Sequence, residues 1–271
     1  MRRSEVEQLG PVPALCSGLT FSGQISPLTP SELHLWGADL DSFTPGHWDP
    51  LLSSDEQARA EQMRVPEAQQ RFITGRGLLR TLLGQYLGQD PTQIVLAYGA
   101  QGKPSLEHKG CCPLTFNLAH SGSLVVMAFG YGDPLGVDVE QVRPHAQMER
   151  VARRRFTPAE YAHWQQVPEP QRLRVFLRIW TAKEACLKAD GLGIRHLSQV
   201  EWIPPGLVAY RQGSPAWNLY AWDPTPTTVA TLAMPQGSQL WATDLHWGWI
   251  PGEAVDRGRL QTTGILPTLA I

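Results

Sequence analysis

Residues 136–140 read Gly136-Val137-Asp138-Val139-Glu140, and this alternation of apolar and acidic residues predicts a β-strand. Side chains on a strand point alternately to its two faces, so Val137 and Val139 are expected to face a core while Asp138 and Glu140 lie together on the other face. An ordinary half-exposed strand explains this pattern. The functional alternative is a site for a hard cation, because adjacent carboxylates repel each other unless a metal or a proton lies between them.

The longest helix expected in the second half of the chain runs from about Gln171 to Ala189 and contains Trp180-Thr181-Ala182-Lys183-Glu184-Ala185-Cys186-Leu187-Lys188. Glu184 follows Trp180 by four residues on an apolar stripe, so its carboxylate is expected to point inward. Lys188 lies one turn later on the same face. An acid on an apolar face needs a partner, which a metal ion or a lysine in a cleft supplies. The alternative is that Glu184 only completes a capping box with Thr181.

The composition is that of a folded globular protein: 271 residues, of which 42% are hydrophobic and 18% are charged. The formal net charge of -2 gives no global field for binding nucleic acid or an anionic membrane, so neither is an expected partner. Any anionic ligand must be held by a local basic cluster. The longest apolar run, residues 124–129, is too short to span a bilayer and predicts a buried strand.

The chain begins Met1-Arg2-Arg3 and continues with Ser4 and Glu5, without the apolar stretch that a secretion signal needs. A cytoplasmic location is therefore expected. The four cysteines show neither metal-finger spacing nor a disulfide framework, and free thiols are expected. They are Cys16, Cys111, Cys112 and Cys186.

The positions of proline- and glycine-rich turn segments predict two lobes between two terminal arms. The strongest break is the segment 130–134, which places a first lobe at 33–132 and a second at 133–250. Residues 1–32 and 251–271 are expected to be surface arms. A core-facing helix is predicted from Pro66 to Leu87 in the first lobe, and Thr157-Pro158-Ala159-Glu160 predicts the start of a helix in the second.

These segments together resemble the phosphopantetheinyl transferase superfamily, in particular its larger two-lobed type. The Gly-hydrophobic-Asp-hydrophobic-Glu strand matches residues 136–140, and the Trp-Ser/Thr-x-Lys-Glu-Ala helix, with a lysine four residues after the glutamate and a Gly-x-Gly behind, matches residues 180–193. The Phe-Thr-x-x-Glu start at 156–160 lies between them. The resemblance covers roughly Leu33 to Leu245. It implies an α+β fold of two similar α/β lobes related by a pseudo-twofold axis, each an antiparallel sheet with a long covering helix, and an active site in the cleft between the lobes.

The resemblance also implies contacts with coenzyme A in the first half of the chain. Gly102-Lys103-Pro104 and Phe116-Asn117-Leu118-Ala119-His120-Ser121-Gly122 match the two coenzyme A contact segments, with Ala119 replacing a frequent serine. Arg71 and Arg76 fall where the family places basic residues for the nucleotide phosphates. The expected coenzyme-binding residues are Arg71, Arg76, Lys103, Pro104, Ala119, His120, Lys183 and Lys188. Without the motifs of the second half, these residues are equally explained as ordinary surface and turn residues.

The implied reaction is attack by a serine of an apo acyl or peptidyl carrier protein on the β-phosphorus of coenzyme A, which releases adenosine 3',5'-bisphosphate. Asp138, Glu140 and Glu184 are the implied ligands of Mg²⁺, and Asp138, Glu184 and Lys188 are the expected catalytic residues. Lys188 is expected to stabilise the departing phosphate. Glu184, directly or through a metal-bound water, is the expected acceptor of the serine proton, although a purely ligating role stays open.

A basic docking surface for the acidic carrier protein is expected beside the cleft, and a monomer is expected. The candidate arginines are Arg150, Arg153, Arg154, Arg155, Arg172, Arg174 and Arg178. Each is also explained as an ordinary solvated residue of a basic helix. Two other functions are compatible with the sequence: a metal-dependent nucleotide pyrophosphatase, and a carrier-binding module without catalytic activity.

Overall fold

The computed structural model describes residues 25, 27–107, 114–202, 208–213, 216–238, 245–250 and 261–265, which form a mixed α+β fold. Within these residues lie two five-stranded sheets, each with a long helix on one face, and a short two-stranded hairpin. The hairpin consists of β2 (Leu96–Tyr98) and β3 (Pro104–Leu106). None of the described helices is long and apolar enough to cross a membrane.

The first sheet has the strand order β12-β11-β1-β5-β4. Its strands are β1 (Leu33–Asp39), β4 (Leu114–Ser121), β5 (Leu124–Tyr131), β11 (Leu245–Ile250) and β12 (Gln261–Ile265). The short helix α1 (Ser54–Glu61) and the long helix α2 (Pro66–Leu87) pack on this half. As predicted, α2 begins with a proline at its first position and ends at Gly88, which adopts the left-handed conformation that favours glycine.

The second sheet has the order β6-β10-β9-β8-β7, and all of its strand pairs are antiparallel. Its strands are β6 (Gly136–Gln141), β7 (Val200–Trp202), β8 (Val208–Arg211), β9 (Trp217–Trp222) and β10 (Thr228–Pro235). The helices α3 (Met148–Arg155) and α4 (Pro158–Gln166) precede the long helix α5 (Glu169–Ala189), which packs on the sheet through β6 and β10.

The two sheets pack against each other through a third apolar cluster, which lies between the cores under α2 and α5. On β5, Val125, Met127 and Phe129 belong to the core that includes α2, whereas the alternating residues Val126 and Ala128 belong to the cluster between the sheets. The strand period of two therefore gives each sheet two buried faces. The resulting layers are helix, sheet, sheet and helix. Val137 and Val139 lie in the central cluster, which confirms the prediction that they face a core.

The expected domain boundary at residue 250 does not match the strand pairing. Residues 245–250 were expected in the second lobe, but β11 pairs in parallel with β1 and so completes the first sheet. Residues 261–265 fall inside the expected C-terminal arm, but they form a strand paired with β11. The first sheet is consequently mixed rather than antiparallel. Parallel pairing between strands far apart in sequence leaves no local turn signal, which is why periodicity could not predict it.

Part of the arm and cysteine predictions falls outside the described residues. This applies to most of the 1–32 arm, to 251–260 and 266–271, and to Cys16, Cys111 and Cys112. Cys186 is a buried free thiol, as expected.

Candidate active site

The predicted acidic strand and the predicted lysine–glutamate helix meet at the crossing of β6 and α5. A side chain on Gly136 would place its Cβ 1.8 Å from the carbonyl oxygen of Ala185, so only glycine allows the backbones to approach this closely. The close approach turns the polar face of β6, which carries Asp138 and Glu140, toward the face of α5 that carries Glu184 and Lys188.

Asp138 is almost completely buried and is held by Lys188. The Nζ atom of Lys188 donates to Oδ1 of Asp138 at 2.6 Å. The second carboxylate oxygen, Oδ2, is also buried and has no hydrogen-bond partner among the described residues. A buried carboxylate oxygen without a partner is unfavourable, so this atom is a natural position for an added ligand.

Two carboxylates at the crossing, those of Asp138 and Glu184, hold protons more tightly than isolated carboxylates do. Burial raises the pKa of Asp138 to about 6, against the opposing effect of Lys188. Burial, together with the neighbouring Asp138 and Glu140, raises the pKa of Glu184 to about 7, while Lys188 and Arg155 oppose the shift. The acids therefore repel one another in a site poor in water, which is the electrostatic condition that a cation relieves.

Side chains of the neighbouring strand β4 form hydrogen bonds with Glu140 and with the backbone of β6. Ser121 donates its hydroxyl to Oε2 of Glu140 at 2.7 Å and accepts from the backbone N–H of Gln141 at 3.2 Å. Asn117 accepts from the backbone N–H of Val137 at 2.8 Å. Ser121 and Asn117 belong to the segment 116–122 that matches a coenzyme A contact motif, but no local pattern predicts that they bond to the acidic strand.

The donor set fits Mg²⁺ by its chemistry, although the side chains are not gathered around one point. Asp138, Glu140 and Glu184 offer only oxygen ligands, and the unpartnered Oδ2 of Asp138 is available. Among the residues that the structure describes, no three His, Cys, Asp or Glu side chains lie close enough together to hold a metal. With Lys188 bound to Asp138, metal binding would need a rearrangement of these side chains.

The expected nucleotide side of the site is only partly assembled. His120, on β4, lies in the electrostatic field of both Lys188 and Arg76: burial lowers its pKa first, and these two cations lower it further. Arg76 is buried beside the rings of Phe72 and Tyr98, with one guanidinium nitrogen unpaired among the described residues. His120 thus lies within electrostatic reach of both Arg76 on α2 and Lys188 on α5.

Arg71 has a different environment from Arg76, although both lie on α2. It is partly exposed and forms a two-point ion pair with Asp41, with distances of 2.7 and 2.6 Å. A phosphate would have to compete with this carboxylate for Arg71.

Lys103 and its neighbour Pro104 were expected to contact the coenzyme, but the amine of Lys103 is bound by backbone. It donates to the carbonyl oxygens of Leu135, Lys188 and Ala189 at 3.2, 2.5 and 3.2 Å. Burial lowers the pKa of Lys103 to about 8, while Asp190 opposes the shift. Pro104 is buried at the start of β3.

Two other expected coenzyme contacts, Ala119 and Lys183, have buried side chains. Ala119 lies in the apolar cluster between the sheets, so only its backbone is available to a ligand. Lys183 is completely buried and donates to Oε2 of Glu160 at 2.5 Å, on the side of α5 that faces the protein interior. Residues 183 and 184 are consecutive on a helix and therefore point about 100° apart, which places only Glu184 at the crossing.

The capping-box alternative for Glu184 is wrong because Thr181 lies in the middle of α5, which begins at Glu169. The hydroxyl of Thr181 contacts the hydroxyl of Thr231 at 2.8 Å and the carbonyl of Arg178. The capping box predicted at Thr157 and Glu160 is confirmed.

Comparison with known proteins gives a consistent result for both halves of the chain. A model of the 4'-phosphopantetheinyl transferase superfamily matches residues 134–223, and a model of the N-terminal part of 4'-phosphopantetheinyl transferase matches residues 46–130. The 4'-phosphopantetheinyl transferase HetI of Nostoc sp. is 41% identical over 211 residues, which are 76% of this chain and 89% of that protein.

More distant relatives carry the same description. The 4'-phosphopantetheinyl transferase AcpT of Escherichia coli K12 is 35% identical over 131 residues, which cover 48% of this chain and 63% of that protein. A 4'-phosphopantetheinyl transferase of Bacillus subtilis is 29% identical over 166 residues, which cover 60% of this chain and 72% of that protein.

Proposed function

Since the chain belongs to the 4'-phosphopantetheinyl transferase superfamily and is an enzyme of that class, we propose that it transfers the 4'-phosphopantetheine arm of coenzyme A to a serine of an apo acyl or peptidyl carrier protein. The proposed reaction depends on Mg²⁺ and releases adenosine 3',5'-bisphosphate. The observation that carries this proposal is the crossing of β6 and α5, where buried Asp138 meets Lys188 beside Glu184.

The proposed reaction forms a bond from the serine oxygen to the β-phosphorus and breaks the bond from that phosphorus to the bridging oxygen. Such a transfer needs positioning and charge neutralisation more than covalent help from the enzyme. Asp138, Glu140 and Glu184 would hold Mg²⁺, and the bound ion would neutralise the diphosphate. Lys188, released from Asp138, would then be free to bind the phosphate oxygens that gain charge.

Glu184 is the proposed acceptor of the serine proton. Without a cation, burial holds the pKa of Glu184 at about 7, and a bound cation would favour the ionised form that can accept a proton. Acceptance through a water molecule remains the alternative within this proposal. His120 and Arg76 are the proposed contacts for the nucleotide phosphates, since Arg76 has an unpaired buried nitrogen and His120 lies between the two cationic sides.

The proposed carrier-protein docking surface is narrowed by the ion pairs of the structure. Arg174 and Arg178 on α5 bind Asp223, and Arg172 binds Glu169, so these three are already engaged within the chain. The arginines of α3 are more open to a partner: Arg150, Arg153 and Arg154 are exposed, although Arg153 also pairs with the exposed Glu149 one turn earlier. We propose this face of α3 as the docking surface for an acidic helix of the carrier protein.

From the resemblance alone we also propose that the protein is a cytoplasmic monomer, and that its two sheet-and-helix halves are related by a pseudo-twofold axis.

A direct test is incubation of the purified protein with coenzyme A, Mg²⁺ and a panel of apo carrier proteins, followed by intact mass measurement of each carrier. The expected result is the addition of one phosphopantetheine group to the serine of at least one carrier. Release of 4'-phosphopantetheine without any carrier would favour a pyrophosphatase instead. Binding of coenzyme A or carrier with no turnover under all conditions would favour a non-catalytic module.

A further inference from the structure

Lys103 joins the two elements that carry the acidic residues. It lies in the turn between β2 and β3, in the first half of the chain, but its amine reaches Leu135 at the start of β6 and the last residues of α5. The second half supplies all three of these carbonyl acceptors. The contact is therefore a bridge from the hairpin to the crossing of β6 and α5.

The bridge uses the full bonding capacity of the lysine. An ammonium group has three donors and no acceptor, and here three carbonyl oxygens accept from it. Two of these, of Lys188 and Ala189, are at the C-terminal end of α5, where the helix dipole favours a positive charge. A phosphate could bind Lys103 only after at least one of these bonds broke.

The turn that carries Lys103 is itself fixed. The carbonyl of Lys103 accepts from the N–H of Gly99 at 2.9 Å, and Gly102 takes the left-handed conformation at the tip. Next to it, the side chain of Gln101 lies so near Gly193 that a Cβ there would come within 2.7 Å of its oxygen. The hairpin turn thus contacts the loop behind α5 through Gln101 and the last residues of α5 through Lys103.

We propose that Lys103 is a positioning residue, which clamps the end of α5 to the start of β6 so that Lys188 can reach Asp138, rather than a ligand of the coenzyme phosphates. The backbone of Lys188 is held by Lys103, and its side chain is the one bound to Asp138. Loosening the last turn of α5 therefore shifts the amine that the proposed reaction requires. The inference rests on the proposed function for its catalytic consequence but not for the clamp itself.

The first measurement needs no activity. In hydrogen exchange of the full chain, Lys103→Met should speed exchange of the amides of Asp190, Gly191 and Leu192, which bond to carbonyls of the last turns of α5. Ser105→Ala is the matched control, because this exposed side chain lies on the same hairpin. Unchanged exchange in Lys103→Met would overturn the clamp.

The second measurement separates positioning from phosphate binding. Lys103→Met should lower kcat by roughly 10- to 100-fold, since small misplacements of reacting groups have effects of this size. The loss should be equal with coenzyme A and with dephospho-coenzyme A, and it should largely disappear in a Lys188→Ala background because the two changes act on one unit. A raised KM for coenzyme A alone, with kcat intact, would overturn the proposal.

Lys103→Arg provides a second variant if Lys103→Met does not fold. Arginine binds phosphate well, so a phosphate ligand would tolerate this change, whereas a planar guanidinium cannot meet three carbonyls that converge on one ammonium. We expect Lys103→Arg to show the same faster exchange and lower kcat. Normal kinetics and exchange in this variant would overturn the clamp. If the unchanged protein modifies no carrier, the proposed function fails while the exchange result still decides the clamp.

Discussion

Lys183 and Glu160 form an ion pair from which water is excluded, with 2.5 Å between Nζ and Oε2 and neither side chain exposed. Glu160 also accepts from the backbone N–H groups of Trp202 and Thr157. This one carboxylate therefore joins the start of α4, the middle of α5 and the strand β7. Lys183, which precedes the proposed proton acceptor Glu184 in sequence, is thus part of the interior.

The pair predicts a large stability effect and a small kinetic one. Lys183→Met leaves a buried carboxylate without its cation and should lower the free energy of unfolding by about 3–5 kcal/mol. The measurement is denaturant unfolding. Well below the unfolding transition, KM for coenzyme A should stay unchanged. The matched control is Arg153→Ala, whose partner Glu149 is exposed, and which should leave stability nearly unchanged. If Lys183→Met folds but has a raised KM for coenzyme A, the hypothesis that Lys183 contacts the coenzyme would be supported again.

Asp138→Ala should remove the central proposed metal ligand while the fold survives. We expect a rate loss on the order of 10^3, equivalent to about 4 kcal/mol in the transition state. The measurement is carrier mass after a timed reaction at saturating coenzyme A and ordinary Mg²⁺, with a melting curve of the free protein. Transfer near the rate of the unchanged protein would show that Asp138 is not a required ligand.

Glu184→Gln keeps the size of the side chain and removes its charge. If Glu184 binds metal and accepts the serine proton, most turnover should be lost. Its pKa is raised to about 7 in the folded protein, so the native state holds a proton that the unfolded state releases at lower pH. Its stabilising contribution is therefore present below about pH 4 and is lost as pH rises through 7.

Melting curves of the metal-free protein measure this contribution. Across pH 4.5 to 8 the melting temperature of the unchanged protein should fall relative to that of Glu184→Gln, and near pH 8 the variant should be level or more stable. If Glu184→Gln transfers phosphopantetheine at the normal rate, only Asp138 and Glu140 would remain as proposed metal ligands. A variant that is inactive only because it is unfolded would return Glu184 to a structural role.

His120→Ala should weaken binding of the 3'-phosphate of coenzyme A more than it slows turnover. The expected result is a raised KM for coenzyme A and a much smaller change with dephospho-coenzyme A, which lacks that phosphate. Ser105→Ala, on the exposed side of the hairpin, is the control and should alter neither constant. Equal losses with both coenzymes would place His120 away from that phosphate.

Arg153→Glu and Arg154→Glu on α3 should raise KM for the carrier protein without changing KM for coenzyme A. Reversal of charge at an exposed docking surface mainly slows association and weakens the dependence on salt. Steady-state kinetics at low and high ionic strength measure both effects. Arg64→Glu makes the same change at an exposed position in the first half of the chain and should have little effect. Carrier kinetics that respond equally to all three variants would indicate a general charge effect.

Local patterns in the sequence determined much of the fold. The ends of α2 follow from Pro66 and Gly88, and the start of α4 follows from its capping box. The placement of Asp138 and Val137 on opposite faces of β6 follows from the period of a strand. The acidic strand and the Glu184 helix were predicted as one site because the order and spacing of their motifs resemble one family. These features depend on neighbours in sequence, which a single chain displays directly.

Only the tertiary structure decided which basic residues face the site and which belong to the interior. Lys183 and Lys188 lie on one helix, yet one is locked to Glu160 and the other reaches Asp138. The amine of Lys103 donates to carbonyls more than thirty residues away in sequence, and β11 pairs with the distant strand β1. Such choices depend on which acceptors and strand edges the packed layers bring together, and contacts between distant segments leave no periodic trace in the sequence.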